Sequence, residues 1–190
     1  MMNTTVEIAS PPESGAPSEG GEPSRTCTDI TVEDDRWLSV AGLSDLIDNL
    51  AAEALRAAGL SPDRCSVSIA LLSDAEVQAL NKAFRGKDAP TNVLSFPSSA
   101  TIFVTGQDGP QFLGDVALAY ETVVSEASAQ AKTVLHHAAH LVVHGVLHLA
   151  GFDHDGDTDA DRMEAAERAI LAHFGIPDPY GNDAASPATL

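Results

Sequence analysis

Three histidines toward the end of the chain, His144, His148 and His154, stand in the run HGVLHLAGFDH. Residues four apart on a helix share a face, so the imidazoles of His144 and His148 can converge on one ion. Gly151 can adopt a left-handed backbone, end that helix and turn the chain so that His154 arrives as a third ligand. Three neutral imidazoles suit zinc and leave a fourth position for water, as a catalytic site does and a closed structural site does not. The expectation is one zinc ion per chain. A lone histidine is read as a packing, capping or solvated residue, and His173, near a helix C-terminus where a cation is favoured, is read that way. Three at this spacing around a helix-ending glycine favour ligation.

The offsets of His, His, Gly and His match the metzincin signature HExxHxxGxxH, which makes the helix zincin-like. The glutamate of that signature would stand at 145, where this chain has Gly145. A peptidase mechanism there loses its proton acceptor, so the site is expected to serve another reaction. His136 and His140 extend the same stripe and are read as structural or supporting residues. Asp153 is a candidate for orienting an imidazole. Asp153, Asp155, Asp157, Asp159, Asp161 and Glu164 fall in a calcium-loop register, but the sixth position, which needs glycine, is Thr158. A solvated linker into the last helix is the better reading.

A second informative segment carries Arg85 at a helix end, followed by a glycine turn and a strand. Arginine offers a planar fork that fits phosphate oxygens, although these residues alone read better as a solvated basic turn. The formal net charge of −18 argues against indiscriminate binding to nucleic acid or anionic membranes. Lys82, Arg85 and Lys87, three of only ten basic residues, lie within six positions of one another. An anionic substrate would be caught there or by the metal. No aliphatic run is long enough to span a bilayer, and no apolar segment marks a secretory signal. Cys27 and Cys65 form no CxxC pair, which fits reduced thiols in a cytoplasmic setting.

These residues need elements to position them. Residues 1–26, rich in Ser, Pro, Gly, Glu and Thr, cannot bury enough apolar surface to order and are expected to be a disordered extension. The folded domain is expected over 27–180 and a flexible tail over 181–190. Strand patterns fall at 29–32, 65–72 and 92–96, and a hairpin is expected from 102–104 and 113–120. Helical spacing begins at Leu43 and stops near Gly59. Ser73 with Glu76 forms a capping box for a helix to about residue 84. Helices are further expected over 121–131, 133–150 and 161–174. Helices and strands intermix without strict βαβ order, so the expected fold is α+β, a small mixed sheet packed against helices.

With both chemical segments in view, the chain closely resembles the YbeY family, bacterial endoribonucleases of ribosomal RNA maturation. The matching stretches are FRGKDAPTNVLSFP (84–97), LGDVALAY (113–120), HLVVHGVLHLAGFDH (140–154) and RMEAAERAILAHFGIPDPY (162–180). The resemblance spans about residues 28 to 180. It implies zinc on His144, His148 and His154 and an active-site arginine at Arg85. It also implies cleavage of single-stranded RNA, maturation of the 16S ribosomal RNA 3′ end, ribosome quality control and contact with small-subunit proteins. Two alternatives stand beside it: a zinc metallopeptidase, and a non-catalytic ribosome-assembly factor whose metal is structural.

Overall fold

Alternating apolar and polar residues in CSVSIALL send Val67, Ile69 and Leu71 to one face of a strand, β2 (Cys65–Leu72). The computed structural model, which describes residues 27–98, 111–153 and 156–181, sets β2 inside a four-stranded sheet. Its parallel neighbours are β1 (Thr28–Val32) and β4 (Gln111–Ala119), and β3 (Val93–Pro97) pairs antiparallel to β4 at the edge. The order β1-β2-β4-β3 is a mixed sheet, as the α+β reading expects. Residues 1–26, 102–104 and 182–190 lie outside the described residues. The first strand of the expected hairpin therefore falls outside them; among the described residues β4 pairs antiparallel with β3.

Two layers of helix cover the sheet unequally. On one side lie α1 (Leu43–Ala57), α4 (Val134–Leu149) and α5 (Asp157–His173), which close the main core with Val67, Ile69, Val116 and Leu118. On the other side α2 (Asp74–Arg85) closes a small core of Leu72, Val77, Leu94, Ala117 and Ala119. The expected capping box starts α2: Glu76 accepts from the Ser73 N–H at 2.7 Å. A short helix, α3 (Tyr120–Ala129), leads from β4 into α4.

Helix α5 begins at Asp157, four residues before the expected start at 161. Asp157 and Asp159 sit in its first turn, where carboxylates offset the positive end of the helix dipole. This corrects the linker reading, and it also removes the calcium-loop register, because a helical backbone cannot wrap its ligands around an ion. Cys27 and Cys65 are free and buried. Burial, with Asp48 beside it, pushes the Cys27 thiol up to about 12, so it stays protonated and unreactive. Among the described residues no helix is long and apolar enough to cross a membrane.

Candidate metal centre

Helix α4 is the element that positions the histidines. Thr133 caps its start by accepting from the His136 N–H at 3.1 Å. Ala138, Leu141, Val142, Val146 and Leu149 bury into the main core, which leaves His140, His144 and His148 as a four-residue stripe on the remaining face. The helix ends where the spacing predicts. Gly151 has φ +91°, its N–H reaches the His148 carbonyl at 3.0 Å, and the Phe152 N–H reaches the Leu147 carbonyl at 3.0 Å. That turn returns the Phe152 carbonyl to 3.0 Å from His148 Nδ1.

His144 and His148 present their Nε2 atoms to each other at 3.1 Å. Both Nδ1 atoms face acceptors: His144 meets Glu167 Oε1 at 2.9 Å and His148 meets the Phe152 carbonyl. The hydrogen-bond network therefore assigns the proton of each neutral ring to Nδ1 and leaves both Nε2 atoms as lone-pair donors. Two lone pairs at that separation repel, and a cation shared between them removes the repulsion. The donor set fits a metal such as zinc.

Glu167 is fully buried. It accepts from His140 Nε2 at 3.0 Å, from His144 Nδ1 at 2.9 Å, and from the Tyr180 hydroxyl. Burial alone would raise its carboxyl, but these three hydrogen bonds outweigh burial and hold it down to about 2. Burial and the neighbouring carboxylate push the Tyr180 phenol above its ordinary range, so it remains a donor. The ligand atoms of His140, His144 and Glu167 lie within 4.8 Å of one another, and this group could hold a metal ion. His144 thus belongs to two arrangements, a buried one through Nδ1 and an open one through Nε2.

The open side is a cleft of about 470 Å³ lined by His144, His148, Phe152, Asp153, Ser95 and Arg85. Arg85 reaches it from the last turn of α2, where Gly86 in the left-handed region (φ +69°) ends the helix. Buried Asn81 donates to the Ala89 carbonyl at 2.7 Å and ties down the turn that follows. Arg85 Nη2 lies 3.3 Å from the Ser95 carbonyl. Sequence-distant Arg85 and the histidine pair therefore share one cavity. His154 lies outside the described residues. Asp153 lines the cleft, and Glu167 and the Phe152 carbonyl face Nδ1 of His144 and His148 respectively.

Gly145 has a packing reason. A Cβ there would stand 2.6 Å from Val116 Cγ1 and 3.2 Å from Ser95 Oγ. Position 145 faces the sheet, so the general base of a peptidase has no room at this site. The sequence reading passed over Glu167 and Tyr180. Glu167 did leave a signal: with Met163, Ile170 and Leu171 it lies on the buried stripe of α5, a position where an unpaired carboxylate is costly.

An α+β domain whose central helix sets a histidine stripe against a buried carboxylate, beside an open cleft, defines a protein with a site able to hold a metal ion. A model of the family "Endoribonuclease YbeY" matches residues 29–175. An endoribonuclease YbeY of Azorhizobium caulinodans is 50% identical over 155 residues, covering 80% of this chain and 94% of that protein. One from Rhodopseudomonas palustris is 44% identical over 163 residues, covering 85% of each. The solution structure of TM1509 from Thermotoga maritima is similar with a TM-score of 0.49 and 22% identity, over 86% of this chain and 99% of that one. The chain belongs to the endoribonuclease YbeY family.

Proposed function

We propose that the protein is a zinc-dependent endoribonuclease that cuts single-stranded RNA in the cleft between Arg85 and the histidine pair. The observation that carries this reading is the pair of Nε2 atoms 3.1 Å apart, each with its opposite ring nitrogen engaged, facing a cavity that Arg85 also lines. His144 and His148 would hold the ion through Nε2. His154 enters as the third ligand through the family resemblance. When bound, zinc supplies a lowered pKa for a coordinated water and positive charge beside a phosphoryl oxygen. Arg85 offers its fork to the phosphate oxygens and gains importance as negative charge builds on them. Glu167 holds His144 in the tautomer that keeps Nε2 free of hydrogen.

The cleft side is preferred over the buried group of His140, His144 and Glu167 for a chemical reason. Glu167 already accepts three hydrogen bonds there, and an ion so enclosed would have no position open to water or substrate. The open cavity likewise argues for a catalytic rather than a structural metal. Family membership supports RNA as substrate. We infer from the same resemblance maturation of the 16S ribosomal RNA 3′ end, ribosome quality control, contact with small-subunit proteins and a cytoplasmic location.

Elemental analysis and zinc titration of two variants test the ion's position. His148→Ala should lose the ion and RNA cleavage, whereas His140→Ala should keep the ion. The reverse result would put the ion in the buried group. A wild-type protein that takes up no zinc, or that with zinc cuts no single-stranded RNA, would overturn the reading.

A further inference from the structure

Among the described residues the exposed large apolar side chains are Leu38, Phe84, Phe112 and Tyr180. Two of them share one place. Phe84, 71% exposed, and Phe112, 44% exposed, line a hollow of about 800 Å³ on the thin face of the sheet, with Leu80, Phe96 and Asp115. Phe84 leans on Phe96, the ring centroids 5.2 Å apart and the planes at 59°. The hollow is not isolated. Arg85, Ser95 and Pro97 line both it and the histidine cleft, so the two depressions share a wall.

We propose that Phe84 and Phe112, backed by Phe96, form a stacking surface for unpaired bases of the RNA strand whose phosphate enters the histidine cleft. The inference rests on the reading of that cleft as an RNA-cleaving site and names where the neighbouring nucleotides sit. Charge argues for this occupant. The chain carries a net charge of −18, and Lys82, one of the three clustered cations, is paired with Asp88 at 2.7 Å. Phosphate contacts alone therefore offer little attraction, and affinity must come from a contact that needs no positive charge. Base–aromatic stacking is such a contact, and every base has a face to offer. Asp115, the carboxylate in the hollow, can accept from the exocyclic amino groups of bases. Arg85 on the shared wall suits the intervening phosphate. The surface also accounts for a preference for single strands, because a paired and stacked base has no free face.

Steady-state cleavage by the zinc-loaded full chain tests the proposal. Phe84→Ala and Phe112→Ala should each raise KM for a short single-stranded oligoribonucleotide about tenfold, with kcat changed far less. Phe84→Tyr and Phe84→Trp should restore KM. A substrate made abasic beside the cut should be poor for the wild type and no worse for Phe84→Ala, because the lost contact is to the base. Both alanine variants should melt at the wild-type temperature. An unchanged KM in both, or an equal further loss on the abasic substrate, would overturn the stacking surface. So would a much lower melting temperature, which would mean that the rings pack within the protein's own fold. Failure of the zinc-loaded wild type to cut any RNA is a separate result, seen before any phenylalanine is changed, and it strikes the reading of the cleft instead.

Discussion

On one side of the sheet α1, α4 and α5 bury Trp37, Leu50, Ile69, Leu118, Val142 and Leu147 in a continuous core; on the other, α2 alone covers five small or medium side chains. The histidine stripe is built on the first side. There the rings of His144 and His148 are each held by a packed helix and by a hydrogen bond through Nδ1. The phenylalanine patch lies on the second side, where the cover is thin and Phe84 is open to solvent. The difference suits what each face would do in the proposed reaction. Metal ligands need fixed separations and one tautomer, which dense packing and a buried carboxylate supply. A surface that meets a flexible strand needs exposed area and tolerates looseness. Arg85, at the end of α2, joins the two sides.

The sharpest way to break this comparison is at the joint. Arg85→Ala should lower RNA cleavage by on the order of 10²-fold or more while zinc content and melting temperature stay at wild-type values. Arg85→Lys, which keeps charge without the fork, should recover only part of the rate. Wild-type cleavage by Arg85→Ala, with contaminating nuclease excluded, would remove Arg85 from the reaction.

On the dense side, Glu167→Gln keeps the shape but replaces an acceptor oxygen with a donor. Zinc affinity, measured by competition with a chelator, should fall roughly 10–100-fold. Unchanged affinity would mean that Glu167 neither orients His144 nor holds the ion. Gly145→Ala should cost about 1–3 kcal/mol in denaturant unfolding, because the added methyl meets the branched Val116 side chain at 2.6 Å. A neutral result there would show that α4 can move off the sheet, and the dense face would not be rigid. Smallest of all is the expected effect of deleting residues 1–25, whose composition builds no core. Melting temperature and zinc content should both match the full chain.

Much of this protein was legible locally. The four-residue spacing of His144 and His148, the helix stop at Gly151, the capping box at Ser73 and the alternation in β2 are short-range patterns, and short-range geometry made each of them. The start of α5 was misjudged by four residues because the acidic run reads as solvated chain, whereas carboxylates are also what a helix N-terminus attracts. The pairing of β3 with β4 was not read from the sequence, because the pattern of neither strand alone sets which strand it meets.

The sequence by itself marked His144 and His148 as candidate ligands on one helix and placed Gly145 where a peptidase base would stand, but it passed over Glu167 and read His140 as structural or supporting. Only the tertiary structure decided which partners orient those residues. Glu167 lies 23 positions from His144 and 27 from His140, and it meets both because α5 packs on α4. Arg85 lies far from the histidines in the chain and reaches their cleft because β3 and α4 both pack at β4, with α2 alongside. Helical periodicity is written in a few neighbouring residues. The meeting of two helices or of a helix and a sheet edge depends on how the whole core closes, and no short stretch of chain encodes it.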